Sequence, residues 1–346
     1  MKRRKVLMTV ALALLVLLGA IAVWVLTNVE RSERPIGFQL VRATGPGGEA
    51  LPIAVWYPTS ADPRPTTLLG ATLLDVAWVG PVAGRELPLV LISHGNGGGP
   101  GSHADLAMAL AGAGYVVAAP LHLGDNVQEQ DGMARAGFWS GRNAELIAAG
   151  DYMTTQWTSR GAIDPRRIGA FGFSAGGYTV LTAAGARPAM AAVARHCSGA
   201  GEFVCQVLKA GRSPLLSPQG AAGEAGFRKD PRIKAVVVAA PGLGFTFAAP
   251  GALRDVRVPV QLWAGAADDR VPLASNSDVI RAGLAPQPDY HLIAKAGHLS
   301  FLVPCRLLRP SALCSDPAGF DRSAFHREMN REVVRFFDAA LGGVAR

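Results

Sequence analysis

Residues 168–177, Ile-Gly-Ala-Phe-Gly-Phe-Ser-Ala-Gly-Gly, constrain the fold more than any other stretch of the chain. The apolar run predicts a strand, and the small residues from 178 to 185 predict a helix directly after it. Between them lies Gly-x-Ser-x-Gly, centred on Ser174. A serine on so tight a strand-to-helix turn takes a strained backbone, and Gly172 and Gly176 must lack a Cβ for the turn to close. Such a turn lifts the Ser174 hydroxyl clear of a sheet and aims the free N–H groups of a helix start at whatever binds there. The chain holds 41 glycines in 346 residues, so the pentapeptide alone also reads as an ordinary turn. A nucleophilic serine needs more: a base, a carboxylate to orient that base, and two donors for the developing oxyanion.

The pattern from residue 35 onward predicts α/β architecture. Stretches 36–41 and 52–57 read as an opening pair of strands, and 58–85, with Pro and Gly scattered through it, as a surface loop. Continuous apolar runs at 88–93 and 115–120 are of the buried parallel-strand type, separated by a helix over 102–113. A polar loop over 124–142 leads to a helix over 143–159 and then to the strand before Ser174. Residues 188–230 lack clear periodicity and read as an insertion over the sheet, a candidate lid. Strands are expected again at 233–239, 258–263 and 290–293. A helix over 321–341 carries Phe325, Met329, Val333, Phe336 and Phe337 on one face. Alternating strands and helices imply a mostly parallel central sheet with helices on both faces.

The N-terminus adds a separate element. Lys2, Arg3, Arg4 and Lys5 precede an uncharged apolar run over 6–29, long enough to span a bilayer. The basic cluster predicts a cytoplasmic N-terminus with the rest of the chain outside. The run exceeds the core of a cleaved signal peptide, so a retained transmembrane anchor is the preferred reading over a signal helix. The expected layout is 1–29 as the anchor or signal segment and 30–346 as one exported domain, periplasmic or extracellular, held at the inner membrane. The net charge of +8 owes half its size to those four residues. No basic block follows, so nucleic acid is not an expected partner. Cys197 with Cys205 and Cys305 with Cys314 form two local pairs, read as disulfides of an exported protein. A zinc site is the less favoured alternative, since neither a C-x-x-C nor a histidine at metal spacing accompanies them.

Open parallel sheets build sites at the carboxyl ends of their strands. The 168–173 strand delivers Ser174, the 258–263 strand delivers Asp268 and Asp269, and the 290–293 strand delivers His298. Ser174 would be the nucleophile, His298 the general base and then acid, and Asp268 the carboxylate that orients the imidazole, with Asp269 as the alternative. Backbone N–H groups of Ala175 and Asn96 are the candidate oxyanion donors, and glycines 97–99 let the Asn96 loop pass close to substrate. The glycine run matches no phosphate-binding spacing.

The order Ser, Asp, His and the strand–turn–helix context resemble the α/β-hydrolase family. The likeness is closer to bacterial proteins described as predicted dienelactone hydrolases, relatives of platelet-activating-factor acetylhydrolases, and covers about residues 35–341. It rests on Ala54-Val55-Trp56-Tyr57-Pro58, Ser93-His94-Gly95, the Ser174 turn, and Gly297-His298-Leu299-Ser300-Phe301-Leu302. The tail Cys314-Ser315-Asp316-Pro317-Ala318-Gly319-Phe320-Asp321-Arg322 with Ala324-Phe325-His326 adds to it. The resemblance implies an α/β-hydrolase fold and hydrolysis of small-molecule or lipid carboxylic esters without a cofactor. Phospholipid acyl hydrolysis, acyl transfer and a silent binding module are the alternatives. Two departures stand out. The acetylhydrolases take their acid from the strand after the serine, which here ends in Ala239-Ala240-Pro241-Gly242, so only Ser174 and His298 carry over from them. True dienelactone hydrolases use a cysteine where this chain has serine.

Overall fold

The computed structural model describes residues 2–68, 72–199, 201–222, 225–305 and 311–342. The remaining residues, parts of the 58–85 and 188–230 segments among them, lie outside this description. Among the described residues, ten strands form one sheet in the order β10-β9-β8-β7-β5-β6-β2-β1-β4-β3. They are β1 (Ile36–Thr44), β2 (Ala50–Pro58), β3 (Arg64–Leu68), β4 (Thr72–Trp78), β5 (Leu87–Ser93), β6 (Val116–Pro120), β7 (Ile163–Phe173), β8 (Ile233–Ala239), β9 (Val260–Gly265) and β10 (Asp289–Ile293). Strands β5 to β10 pair in parallel, and β2 joins β6 antiparallel. The fold is thus the expected α/β arrangement, with an antiparallel extension at one edge.

That extension corrects the reading of 58–85 as a surface loop. β4 pairs in parallel with β1 and antiparallel with β3. Leu74 and Val76 alternate inward and are buried, while Thr59 ties the start of the segment down by donating to Pro81 O at 2.6 Å. Scattered prolines and glycines hid a period-two pattern only a few residues long.

Helices cover both faces: α2 (Ala104–Gly112), α3 (Phe138–Thr155), α4 (Ala175–Ala183), α5 (Ala192–Gly199), α6 (Phe203–Ala210), α7 (Pro218–Ala222), α8 (Ser277–Gly283) and α9 (Arg322–Leu341). Alternate residues of the central strands feed two cores. Leu89, Leu91, Ala170 and Val238 pack with α3, α4 and the 188–230 segment, and Val90, Ile92, Phe171 and Val237 pack with α2 and α9. The segment is no detached flap, because Val193, Cys197, Val204, Cys205 and Leu208 belong to the first core. Disulfides join Cys197 to Cys205 and Cys305 to Cys314, as expected.

The N-terminal run forms α1 (Lys2–Asn28), whose side chains stand exposed along most of its length. At 1.5 Å per residue, a helix of this length reaches about 40 Å, more than the roughly 30 Å of a bilayer's hydrocarbon core. An exposed apolar helix of that reach and two disulfides are consistent with export.

Helix α9 is locked by its buried face. Asp321 caps its start by accepting from Ala324 N–H at 2.9 Å, and Met329, Val333 and Phe337 are fully buried. Phe337 lies over Gly169, where an added Cβ would come within 2.6 Å of the ring. Truncating Phe337→Ala should therefore cost about 3–5 kcal/mol of stability, read as a lowered midpoint in equilibrium denaturation.

Candidate active site

Ser174 sits between β7 and α4 with φ 55° and ψ −117°, in the strained region the glycine pattern predicted. A Cβ on Gly172 would lie 2.1 Å from Gly176 O, and one on Gly176 would lie 1.9 Å from Ser93 O. Neither position admits a side chain. The strained residue is held from both sides, its N–H donating to Ala239 O at 2.9 Å and its carbonyl accepting from Tyr178 and Gly242 N–H at 3.2 Å each.

Three strand ends converge here. His298 Nε2 lies 2.9 Å from Ser174 Oγ, and His298 Nδ1 lies 2.8 Å from Asp268 Oδ2. The second oxygen of Asp268 accepts from the N–H groups of Arg270 (3.0 Å) and Val271 (2.9 Å), so the carboxylate has one orientation left. Asp268, and not Asp269, is the acid the structure brings to His298. The His298 turn is itself braced. Ser300 Oγ donates to Asp316 at 2.7 Å, and the buried Arg322 donates to both oxygens of Asp316. The tail residues singled out in the sequence therefore support the histidine from beneath.

The loop after β5 approaches the serine closely. A Cβ on Gly95 would lie 2.8 Å from the Phe173 ring and 3.3 Å from Ser174 Cβ. The Gly95 carbonyl is turned away from the site: it accepts from His94 Nδ1 at 2.7 Å and from Gly98 N–H at 3.1 Å. In a trans peptide the next N–H points the opposite way, so that of Asn96 is left free of this anchor. Ala175 is the first residue of α4, where a helical N–H has no intrahelical acceptor.

Beneath this loop lies a buried polar network that sequence reasoning missed. Asp125 Oδ1 accepts from Gly97 N–H at 2.6 Å and from the Asn96 side chain, and Asp125 Oδ2 accepts from Arg142 at 2.6 Å. Arg142 also donates to His94 O. Asp125 and Arg142 are both fully enclosed, so deleting one would strand the other as an unpaired buried charge, at about 3–5 kcal/mol. Asp125 follows β6, another strand end, but nothing in the sequence marks Arg142 as its partner.

The same network holds a second serine–histidine–acid chain. Ser93 Oγ lies 2.8 Å from His122 Nε2, and His122 Nδ1 lies 2.6 Å from Glu145 Oε2. Ser93 and His122 are fully buried, and Ser93 is the last residue of β5, with no helix start directly after it. Burial pushes the Glu145 carboxyl up to about 8 and holds His122 well below the usual imidazole range. This chain is therefore held neutral in the interior. Glu145 binds its proton more tightly when folded, so its contribution to stability is full below the ordinary carboxyl range and is lost as pH rises through about 8. The melting temperature should fall between about pH 5 and 8, and Glu145→Gln should flatten that slope in thermal melts.

With this geometry in view, residues 74–209 match the Dienelactone hydrolase family. No curated protein matches the sequence. Among solved structures, the fold is similar to a ferulic acid esterase from Streptomyces cinnamoneus, with a TM-score of 0.63 and 18% identity over 92% of this chain and 93% of that one. It is also similar to a Klebsiella pneumoniae subsp. pneumoniae protein provisionally assigned as a dienelactone hydrolase, with a TM-score of 0.51 and 16% identity over 88% and 99% of the two chains. Residues 74–209 are thus similar to the Dienelactone hydrolase family, and the fold as a whole is similar to those of the two solved structures.

Proposed function

We propose that this protein is a serine carboxylic ester hydrolase that works through an acyl-enzyme. The observation that carries the reading is the unbroken chain Ser174 Oγ to His298 to Asp268, at 2.9 and 2.8 Å, on a strained turn at a helix start. In acylation, Ser174 Oγ attacks the ester carbonyl carbon while its proton passes to His298 Nε2. Asp268 holds the Nδ1–H tautomer and stabilises the imidazolium. The carbonyl oxygen becomes an oxyanion facing the N–H groups of Ala175 and Asn96. Collapse breaks the ester C–O bond, and His298 returns the proton to the leaving alcohol. A water then repeats the sequence on the acyl-serine, releasing the acid and restoring Ser174.

Small ester substrates fit the family match and the esterase among the structural neighbours. The second chain is a poor alternative, because Ser93 is enclosed and Glu145 keeps its proton. We further read α1 as a retained anchor that holds the domain outside the cytoplasm, at the surface of the inner membrane. The 188–230 segment reads as a wall or lid of the acyl pocket. Its Glu202 accepts from Ser275 Oγ at 2.6 Å and from His196 at 2.8 Å, and its Phe203 ring lies under Arg270, two residues from Asp268.

A fluorophosphonate probe should label the protein at Ser174, shown by mass spectrometry of the labelled peptide. Ser174→Ala should abolish labelling and lower p-nitrophenyl acetate turnover by about 10⁴-fold or more. Asp268→Asn should lower kcat by about 10³–10⁴-fold with little change in KM, whereas Asp269→Asn should stay within about twofold of the parent. Unchanged turnover in Ser174→Ala would reject the reading.

A further inference from the structure

The chain leaves α1 already tied to the folded domain. Glu30 N–H donates to Leu73 O at 2.8 Å, Asp75 N–H donates to Glu30 O at 2.9 Å, and Val29 is buried. The residues that follow lie against α2, where a Cβ on Gly112 would meet Ser32 Oγ at 2.5 Å. Between this segment, α2 and α9 opens a cleft of about 640 Å³. It lies beside the point where α1 would leave the hydrocarbon, at the depth of lipid headgroups.

The lining of the cleft is mixed in chemistry. Arg31 and Arg34 line it from the segment after α1, and Arg327, Arg331 and Arg335 line it from α9 at every fourth residue, one stripe of the helix. Arg31 pairs with Asp75, and Arg331 and Arg335 pair with Glu328 and Glu332. Arg34 and Arg327 form no ion pair among the described residues. The lining also holds Glu30, Glu33, Met108 and Val334, and Asp105 and Asn330 stand on its α2 and α9 sides. Asp105 is 5% exposed; its Oδ2 accepts from His326 at 2.7 Å and from Asn330 at 2.8 Å. Its Oδ1 has no partner, and neither does Asn330 Oδ1. Burial pushes the Asp105 carboxyl up, but His326 and Asn330 outweigh that and hold it at about 2, so it is ionised at neutral pH. A buried carboxylate oxygen without a donor is costly, and a ligand that brings N–H or O–H groups would relieve it.

We propose that this cleft binds the headgroup of a membrane phospholipid that joins a phosphate to a hydrogen-bond donor, that is, an ethanolamine or glycerol headgroup. The phosphate meets the guanidiniums of Arg34 and Arg327, and a shift of the Asp105 and Asn330 side chains, whose Oδ1 atoms are closed to solvent, lets the ammonium or hydroxyl donate to them. A choline headgroup carries the same phosphate but no N–H or O–H, so it leaves those oxygens unpaired. The assignment rests on α1 staying in the membrane and is independent of the esterase reading. Bound lipid would fix how the domain stands on the bilayer. It would also lie two hydrogen bonds from the His298 turn, since His326 Nε2 donates to Ser300 O at 3.0 Å.

Native mass spectrometry of the full chain, delipidated in detergent and offered phosphatidylethanolamine, phosphatidylglycerol and phosphatidylcholine of equal acyl composition, tests this. Retention of the ethanolamine or glycerol lipid should exceed that of the choline lipid by about tenfold. Arg34→Glu with Arg327→Glu should bring it down to the choline level, with an unchanged melting temperature as the check on folding. Arg327→Ala alone should weaken it in the same direction. Equal retention of the choline lipid would overturn the proposal, as would full retention by the charge-reversed variant. So would stabilisation by soluble phosphoethanolamine or glycerol 3-phosphate without retention of any lipid, which would assign the cleft to a free phosphoester.

Discussion

Two carbonyl oxygens crowd the backbone on either side of Ser174, and they set the terms for the site. Gly176 O closes over Gly172, and Ser93 O closes over Gly176, so that any Cβ would sit inside the van der Waals contact of an oxygen. The end of β5, the end of β7 and the start of α4 therefore meet at backbone-to-backbone distance. That closeness places the helix start, the Gly95–Asn96 peptide and the serine hydroxyl within a few ångströms of one another. It also forces Ser174 to a positive φ, a cost the surrounding hydrogen bonds must outweigh.

Each functional group at the site stands on a loop, yet each loop is pinned by a buried charge. Asp125 and Arg142 lie under the Asn96 loop, Asp316 and Arg322 under the His298 turn, and the Arg270 and Val271 N–H groups on Asp268. Buried ion pairs contribute little net stability, since desolvation offsets most of their attraction. What they do supply is orientation. A carboxylate with all its acceptor directions filled allows one geometry, and a preorganised site needs its donors fixed before charge develops. Comparing the two serine–histidine–acid chains sharpens the point. Similar distances join Ser93, His122 and Glu145, but full burial keeps that set neutral and out of reach, whereas Ser174 lies at a helix start beside free N–H groups.

The cleft beside α1 has its own organising contact, the β-bridge between Glu30 and Leu74. It sets the exit of α1 against α2 and α9, and so places arginines beside the unpaired oxygens of Asp105 and Asn330. His326 links that cleft to the His298 turn through a single side chain.

Much of this was legible in the linear chain. Continuous apolar runs specify buried parallel strands because both faces of the sheet are covered, and a glycine pair around a serine specifies a turn that no other residue type can close. Strand ends then pointed to Ser174, Asp268 and His298, and local cysteine spacing to the two disulfides. The edge strands β3 and β4 were not legible, because their alternation is short and becomes meaningful only once β1 offers a partner. Nor were Asp125, Arg142, His122 and Glu145 legible. A polar residue reads the same in solvent as in a core, and only packing decides whether its partner arrives from twenty residues away or two hundred. The choice between Asp268 and Asp269 was of the same kind: adjacent in sequence and identical in chemistry, they differ only in which way the backbone turns after β9. Sequence by itself determined which residue types stand at which strand ends, since periodicity and backbone sterics are local. Tertiary structure alone decided which of them touch, since hydrogen bonds reach about 3 Å and the chain must fold to bring distant groups that close.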